Sequence, residues 1–182
     1  MTFGRIADFG SLLRFPLEGY ESGTSYRVAR HEEPGRTAIE LELYRRERPL
    51  VKKWEPFEED RERFEAIIAE GNSWFLLEDG LPVGLFLLEK YEWNNCLNIE
   101  LIEVVKERRG RGHGRAMLDK IGEIAAAMGA RAIRLEAQAT NGAAIGFYLK
   151  HGYAIEGVDL SLYSNEDLES QEVAVIMKRK LT

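Results

Sequence analysis

Two hydrophobic periodicities alternate along this chain, and together they predict a protein that contains both strands and helices. Apolar residues at 39, 41 and 43 alternate with glutamates, which is the period-two pattern of a half-buried strand. Apolar residues at 117, 121, 124 and 128 lie on one face of a helix. With glycine and proline as breaks, the chain predicts helices over 56–70, 115–128 and 141–150, and strands over 24–29, 38–44, 73–77, 83–91, 97–105, 131–137, 153–158 and 173–178.

The order of these elements predicts the fold class, which is α/β (α+β). Two strands, a helix, three strands, and then helix, strand, helix and two strands give a single twisted, mixed sheet that is mostly antiparallel and flanked by helices. Residues 1–23 predict no single type of element. A chain of 182 residues suits one hydrophobic core, so we expect a single domain over 1–182.

Composition and charge exclude several classes of function. The net charge of −6 disfavours nonspecific binding to nucleic acid and suits a small cationic partner. The longest apolar stretch, over 81–88, is too short to span a bilayer, so we expect no membrane partner. Cys96 is the single cysteine and no secretion signal is visible, which predicts a cytoplasmic protein. The three histidines and Cys96 lack the spacing of metal ligands, so we expect no metal.

The densest signal lies between the strand over 97–105 and the helix over 115–128. Alternate glycines remove the Cβ atoms that would keep a ligand from the backbone, and the helix start adds unpaired N–H groups and its positive dipole end. Arginines there suit phosphate. We predict a phosphate site that is neither a Walker loop nor a dinucleotide fingerprint; a turn with solvated arginines is the alternative. Its residues are Arg109, Gly110, Arg111, Gly112, His113 (through its backbone N–H), Gly114 and Arg115.

Two segments carry a resemblance to a known family. Arg109, Gly112 and Gly114 form the pattern R-x-x-G-x-G, which resembles motif A of the GNAT superfamily of acyl-CoA N-acyltransferases. Residues 141–153 resemble the family's segment N-x-x-A-x-x-F-Y-x-K-x-G-F, with Tyr153 in place of the usual phenylalanine. Two such patterns, with the expected elements between them, are more specific than either pattern alone.

That resemblance implies a fold, a cofactor and a reaction. The fold is the GNAT fold, and the cofactor is acetyl-CoA, bound by motifs within 99–153. The reaction is direct attack of an amine on the acetyl group, without an acetyl-enzyme intermediate. The resemblance also implies a bulge that splays the strand over 97–105 from its neighbour and admits the pantetheine arm.

Segments over 91–104 and 157–163 are further similar to the streptothricin (nourseothricin) acetyltransferases within that superfamily. The similarity implies a small cationic amine as substrate, with the β-lysine moiety of streptothricin as the expected acceptor and antibiotic resistance as the outcome. Leu101 departs from the acidic residue that those enzymes usually carry. An aminoglycoside, a polyamine or a protein N-terminus is therefore an alternative substrate, and a non-catalytic CoA-binding module is an alternative function. Because many relatives pair, a homodimer is also expected.

Catalytic and cofactor-binding roles follow from the motifs. An amine that arrives protonated must lose a proton, and Glu103, on the strand beside the loop, is our candidate base. A substrate-binding or solvated carboxylate is the alternative for Glu103. Tyr148 matches the tyrosine that protonates the leaving thiolate, with plain aromatic packing as the alternative. Besides the loop and Tyr148, the cofactor-binding candidates are the backbones of Val104 and Val105, which would bond pantetheine like an added strand, Ala144, and Asn141, which is also a candidate helix cap.

The candidates for substrate binding are carboxylates and aromatic residues. A carboxylate can pair with a cationic amine, and an aromatic ring can cover one with its π face. Strand alternation places Glu100 and Glu103 on opposite faces, so that both reach one site only if the implied bulge intervenes. Ordinary surface or packing roles are the alternative for each. The candidates are Trp93, Glu100, Glu136, Asp159 and Tyr163.

Overall fold

The computed structural model describes residues 1–53 and 60–181, which fall into two compact units. The first unit comprises Met1–Gly19, the described part of Lys53–Leu135, and the residues from Arg179 onward. The second unit comprises Tyr20–Lys52 and Glu136–Lys178. The chain passes between the units four times, and each unit has its own strands and helices.

Strands and helices alternate through the described residues. The strands are β1 (Thr2–Arg5), β2 (Tyr20–Glu33), β3 (Arg36–Lys52), β4 (Trp74–Glu78), β5 (Leu81–Tyr91), β6 (Cys96–Val104), β7 (Ala132–Gln138), β8 (Ala154–Asp159) and β9 (Ala174–Lys180). The helices are α1 (Phe9–Leu13), α2 (Arg61–Ala69), α3 (His113–Ala127), α4 (Gly142–Lys150) and α5 (Asp167–Ser170). Single 3-10 turns lie at Glu92–Asn94 and Lys106–Arg108.

The sheet of the first unit has the strand order β1-β4-β5-β6-β7. Its neighbouring strands are antiparallel, except β6 and β7, which run parallel. Helices α1 and α2 pack on each other, α2 packs on β5, and α3 contacts β5 and β6. The predicted class, a mixed and mostly antiparallel sheet flanked by helices, is confirmed, but the strands predicted over 24–29 and 38–44 form a separate two-stranded sheet instead of joining a single one.

An apolar core holds α1 and α2 on this sheet. Phe64, Ile67 and Ile68 are the buried stripe of α2, at the spacing that one helix face requires. Leu85 and Leu87, two residues apart on β5, present the facing side of the strand. Burial of each side chain of this size contributes about 1.5–3 kcal/mol relative to exposure. The remaining members of the core are Ile6, Phe9, Leu12 and Phe15, with Leu17, Phe75, Leu101 and Val105 packed against them.

The second unit contains the long antiparallel hairpin β2–β3 and the antiparallel pair β8–β9. Helix α4 contacts β2 and β8. Two side chains fix the start of this helix: Asn141 Oδ1 accepts the Ala144 N–H at 3.1 Å, and Ser22 Oγ accepts the Ala143 N–H at 3.2 Å. A helix cap of this kind contributes about 1 kcal/mol. The predicted capping role of Asn141 is therefore confirmed.

Gly142, the first residue of α4, is expected to reject a side chain. A Cβ at this position would lie 2.8 Å from the backbone oxygen of Thr24, and backbone does not move aside as a flexible side chain does. We expect Gly142→Ala to lower the free energy of unfolding by about 1–3 kcal/mol, which is the usual cost of overpacking. Denaturation in urea would measure the change.

Gly146→Ala in the same helix is the matched control. A Cβ at Gly146 would have no neighbour within 4 Å among the described atoms outside its own helix turn. Replacing a helix-interior glycine with alanine should raise the free energy of unfolding by about 0.5–1 kcal/mol. Similar effects of the two substitutions would show that the close approach of Gly142 to Thr24 does not exist in solution.

The elements match the predictions most closely around the glycine-spaced loop. The helix predicted over 115–128 is His113–Ala127, and the strand predicted over 97–105 is Cys96–Val104. The strands predicted over 24–29 and 38–44 run much longer, because cross-strand pairing extends them beyond the periodic segment. The helix predicted over 56–70 begins at Arg61 in the described residues, and its predicted first turn lies outside them. The short elements β1, α1 and α5 were not predicted, since four or five residues show no period.

Two features are absent from residues 1–53 and 60–181. No helix in these ranges is long and apolar enough to cross a membrane. No group of three or more histidine, cysteine, aspartate or glutamate side chains in these ranges is arranged to hold a metal ion.

Candidate functional site

The loop between β6 and α3 presents main-chain amides at the start of a helix. Gly110 and Gly112 have φ angles of 75° and 88°, in the left-handed region that favours glycine. Gly112 caps α3, and the helical ladder begins with the Ala116 N–H donating to the Gly112 carbonyl at 3.0 Å. The amides of residues 113–115 therefore precede the ladder. Together with the positive dipole end of α3, they form an anion-binding cradle.

The side chain of His113 supports this loop from inside. The residue is only 3% exposed, and its Nδ1 lies 3.0 Å from the carbonyl oxygen of Arg108. Its Nε2 lies 3.5 Å from the Glu78 carboxylate, which also pairs with the Arg108 guanidinium at 2.8 Å. These contacts tie the loop to the end of β4, so the side chain of His113 has a supporting role while its backbone N–H belongs to the cradle.

The three arginines predicted to bind phosphate, Arg109, Arg111 and Arg115, differ in what their guanidinium groups contact. Arg111 is exposed, and Arg115 lies 3.7 Å from Asp119 one turn further along α3. Arg109 turns back to β6, where its Nη2 donates to the Glu103 carboxylate at 2.6 Å. Of these three, Arg111 and Arg115 therefore carry the exposed cationic charge.

Glu103 is a buried carboxyl on β6 with a strongly perturbed acidity. Its side chain is 14% exposed. Burial raises the pKa of Glu103 from 4.5 to about 7, although the charge and hydrogen bond of Arg109 lower it. The backbone N–H of Glu18 also bonds to the carboxyl and lowers its pKa, while the charge of Glu18 raises it. A carboxyl with a pKa near 7 suits a general base, since about half of it is deprotonated at neutral pH.

Strand β6 carries a bulge at Glu100. Ile99 and Leu101 pair with consecutive residues of β5, so Glu100 is the extra residue between them. Leu101 packs on the core that includes α2, and Glu100 accepts a hydrogen bond from Arg63 of α2 at 2.7 Å. Glu100 and Leu101, although consecutive in sequence, thus face the same side of the sheet. The implied bulge is confirmed, and it removes the alternation that would have separated Glu100 from Glu103.

Glu100 is held in a polar cluster of the first unit. The Asn98 side-chain amide donates to the same carboxylate oxygen as Arg63, at 3.1 Å, and Arg63 also lies 3.6 Å from Glu89. Burial raises the pKa of Glu100, while the Arg63 charge lowers it. Glu100 is therefore a positioned carboxylate rather than a solvated one.

Pairing between β6 and β7 stops at Ile99, well before β6 ends. In the described residues the rest of β6 has strand pairing only on its β5 side. An extended ligand can add to a strand edge of this kind. Two of the backbone groups predicted to bind a cofactor already have partners: the Val105 N–H donates to Val83, and the Val104 carbonyl accepts from Arg109.

In the second unit, α4 carries three of the predicted cofactor residues. Tyr148 is buried, and its ring packs edge-on against Phe147 with 5.4 Å between ring centres and against Tyr153 with 5.6 Å. Asn141 and Ala144 are joined by the capping hydrogen bond, which uses the Ala144 N–H. Tyr148 thus has the aromatic packing, and Asn141 the capping role, that were the alternatives for these residues. Both are compatible with a role in cofactor binding.

Glu136 and Tyr163, two candidates for substrate binding, are hydrogen-bonded to each other. The Tyr163 hydroxyl donates to the Glu136 carboxylate. Gln138, which follows on the same face of β7, bonds to the Tyr163 oxygen and accepts the Tyr20 hydroxyl at 2.8 Å. Burial, followed by the Glu136 charge, raises the pKa of Tyr163 well above its ordinary value, so its phenol is a neutral donor. The pair is therefore part of an ordered hydrogen-bond chain within the second unit.

Comparison with known proteins identifies the family to which these features belong. The sequence profile of the acetyltransferase (GNAT) family matches residues 38–153, more than half of the chain. The chain belongs to the acetyltransferase (GNAT) family. The match includes the cradle, Glu103 and α4, and it confirms the family resemblance that the two sequence motifs carried.

Curated relatives of this GNAT chain include streptothricin acetyltransferases. The enzyme of Streptomyces lavendulae is 34% identical over 93 residues, which cover 51% of this chain and 49% of the relative. Streptothricin acetyltransferase A of Bacillus subtilis (strain 168) is 36% identical over 100 residues, which cover 50% of this chain and 58% of the relative. The matched part of the chain thus spans about half the length of these curated relatives.

Solved GNAT structures share the fold. A crystal structure of nourseothricin acetyltransferase has a TM-score of 0.78 and 24% identity, covering 100% of this chain and 98% of that one, and at this identity the likeness shows the fold alone. A second structure, from Bacillus anthracis str. Ames, bears the provisional name streptothricin acetyltransferase and was solved in complex with acetyl coenzyme A. It has a TM-score of 0.73 and 26% identity, covering 100% of both chains.

Two further residues of the GNAT chain, Trp93 and Asp159, are predicted to bind substrate. Trp93, in the 3-10 turn between β5 and β6, is 86% exposed. Asp159 ends β8, and its carboxylate accepts the Ser161 N–H at 3.0 Å. Their roles in substrate binding stay predictions.

Sequence reasoning missed several residues that organise the clusters. Gln138 carried a usable signal, because it lies two positions after Glu136 on one strand and alternation places both on one face. Tyr20 carried none, since it bonds to Gln138 across 118 positions of sequence. Glu18, which contacts Glu103 and Lys106, was missed for the same reason.

Proposed function

We propose that this chain is an acetyl-CoA-dependent N-acetyltransferase that acetylates a primary amine of a small cationic substrate, with the β-lysine moiety of streptothricin as the best candidate. The observation that carries the proposal is the buried carboxyl of Glu103, on the strand that runs into the glycine-spaced cradle of a GNAT chain. The names of the curated relatives support streptothricin as the acceptor. Resistance to the antibiotic would follow, because acetylation removes a positive charge from it.

The cradle fits the diphosphate of CoA. A Cβ at Gly110 or Gly112 would meet no described atom within 4 Å, so the main chain is open to a ligand at both positions. We propose that amides over 109–115, including those of His113 and Gly114, donate to the phosphate oxygens. The guanidinium groups of Arg111 and Arg115 would balance the negative charge.

Further cofactor contacts are proposed in each unit. The backbone groups of Val104 and Val105 that are not bonded to Val83 or Arg109 would bond the pantetheine amides as an added strand would, because pairing of β6 with β7 has already ended. In the second unit, Asn141, Ala144 and Tyr148 are the proposed contacts on α4. Asn141 would combine this role with its role as the helix cap.

Proton transfer is the main chemical task left to the protein. Acetyl-CoA, when bound, supplies an already activated thioester. A lysine-like amine has a pKa of about 10 and arrives protonated at neutral pH. Glu103 accepts its proton, directly or through a water molecule, because a pKa of about 7 leaves a deprotonated fraction at neutral pH. Tyr148 donates a proton to the sulfur of the leaving thiolate.

Carboxylates and aromatic rings would hold the cationic substrate. Glu136 receives a hydrogen bond from the neutral hydroxyl of Tyr163, and such a bond favours the ionised carboxylate that pairs with an ammonium group. Glu100 is kept in position by Arg63. Trp93 and Asp159 complete the proposed set of substrate residues.

A different amine is the alternative that a specific observation favours. Leu101 stands where the streptothricin enzymes that this chain resembles usually carry an acidic residue, and here it packs against the apolar core. It therefore contributes no charge with which to hold an amine. An aminoglycoside, a polyamine or a protein N-terminus is the corresponding alternative substrate.

A thiol-release assay tests the proposed function. With acetyl-CoA and streptothricin, the purified protein is expected to release free CoA thiol in step with a singly acetylated product detected by mass spectrometry. A panel of aminoglycosides, polyamines and peptides tests the alternative substrates in the same assay. Binding of acetyl-CoA without thiol release in the presence of any of these amines would contradict the enzymatic proposal and favour a CoA-binding module.

Some expectations stay predictions. We propose a cytoplasmic location, because the single cysteine, Cys96, makes no internal disulfide and is buried. A single domain over 1–182, a homodimer, and the exclusion of nucleic acid, a membrane or a metal ion as partners also remain predictions.

A further inference from the structure

The guanidinium group of Arg109 makes three hydrogen bonds within the first unit. Its Nε donates to the carbonyl oxygen of Val104 at 2.8 Å, and its Nη2 donates to the carbonyl oxygen of Gly19 at 2.8 Å. Nη2 also donates to Glu103 Oε1 at 2.6 Å. The side chain thus joins the end of β6, a distant backbone segment and one buried carboxylate.

We propose that Arg109 is a positioning residue that holds the Glu103 carboxylate in place, and that its side chain is not a ligand of the cofactor phosphates. The inference rests on the proposed role of Glu103 as the base. To reach a phosphate, the guanidinium would have to abandon a charged partner at 2.6 Å and two carbonyl oxygens. Arg111 and Arg115, whose guanidinium groups lie nearer to solvent, remain for the phosphates.

The two carbonyl bonds determine where the guanidinium points. Because the group is planar and its donors form a rigid fork, bonds to Val104 and Gly19 leave it little freedom to rotate. The donor that faces Glu103 is therefore fixed relative to the strand that carries Glu103. A lysine at position 109 would keep the positive charge but lose the fork, so it would restore the electrostatic effect without the full geometry.

Among the described residues, Arg109 and Glu18 are the charged groups that most affect Glu103. Glu18 precedes Gly19 in the same segment, and its carboxylate accepts the Lys106 N–H at 2.7 Å. The charge of Glu18 raises the pKa of Glu103, while the charge and the hydrogen bond of Arg109 lower it. Removal of the guanidinium is therefore expected to move the pKa of Glu103 above about 7.

Arg109→Gln tests the proposal, with Arg111→Gln as the matched control. In Arg109→Gln, the rise of kcat with pH should move upward by on the order of one pH unit, while the Kd for CoA measured by calorimetry stays close to that of the wild type. Arg111→Gln should weaken CoA binding by about tenfold, as expected for a lost charged contact, and leave the pH profile in place. Arg109→Lys should return the pH profile of kcat part of the way to that of the wild type.

A titration that does not use catalysis separates this proposal from the proposed base. The carboxyl carbon of Glu103, assigned by its absence in Glu103→Gln, can be followed by carbon NMR against pH in the wild type and in Arg109→Gln. A raised pKa in the variant supports the positioning role even if Glu103 proves not to be the base. An unchanged Glu103 titration, or loss of CoA affinity equal to that of Arg111→Gln, would overturn it. If Arg109→Gln does not fold, Arg109→Lys takes its place in both experiments, and a smaller shift in the same direction is then expected.

Discussion

Replacing Glu103 with glutamine is expected to lower kcat at pH 7 by about a hundredfold, because a positioned general base contributes that much or more. Glutamine keeps the shape of the side chain and an oxygen for the Arg109 hydrogen bond, but it cannot accept the substrate proton. The Kd for CoA should stay unchanged, since Glu103 lies on β6 outside the cradle. Steady-state thiol release and calorimetry with CoA would measure the two quantities.

The pH dependence of kcat gives this prediction a second readout. A base works deprotonated, so kcat of the wild type should rise with pH through about 7, the pKa of Glu103, and level off above it. In Glu103→Gln that rise should be absent. Tyr148→Phe should also lower kcat but keep the rise, because the proposed acid is a different group.

The stability of the folded chain should decrease with pH over the range in which kcat increases. Burial keeps Glu103 protonated in the folded state above its ordinary pKa of 4.5, up to about 7. The folded chain then binds more protons than the unfolded chain in this window, so the contribution of Glu103 to the free energy of unfolding decreases as pH rises through it. Glu103→Gln should remove this decrease, which thermal melts at the two ends of the window would detect.

Glu107→Gln is the control for both readouts. Glu107 lies only four positions away, in the exposed 3-10 turn that follows β6. Its replacement removes the same charge from the chain without touching a buried carboxyl, so kcat and the stability profile should match those of the wild type. A rise of kcat near pH 7 that survives in Glu103→Gln would rule out Glu103 as the base.

Gly112→Ala is expected to weaken CoA binding by about tenfold to a hundredfold, as calorimetry would show. The φ angle of 88° at Gly112 is unfavourable for any residue with a Cβ, so alanine would turn the loop away from its present course. The amides at the start of α3 would then lose their common direction, and each hydrogen bond to a charged group is worth about 1.5–3 kcal/mol. The loss of one such bond corresponds to the expected range.

Gly129→Ala separates this effect from backbone strain. Gly129 follows the other end of α3, has a φ of 62°, and a Cβ there would meet no described atom within 4 Å. The strain of about 1–2 kcal/mol should therefore be similar in the two variants, whereas only Gly112 belongs to the cradle. Equal loss of CoA affinity in both variants would mean that general destabilisation, and not the cradle, is responsible.

Sequence by itself determined the local features on which the site is built. The spacing of Met117, Ile121 and Ile124 predicted α3, and the glycines before it predicted the loop whose positive φ angles are now seen at Gly110 and Gly112. These features depend on residues a few positions apart. Periodicity and the conformational freedom of glycine are therefore sufficient to predict them.

Only the tertiary structure decided which side chains meet. Nothing in the loop indicates that Arg109 bonds to Gly19, 90 positions away, or that it faces a buried carboxyl. The site of the bulge, at Glu100, is likewise a matter of pairing with β5. Such contacts depend on how distant segments pack. The pKa of Glu103 near 7 has the same origin, because burial sets it and burial exists only once the chain has folded.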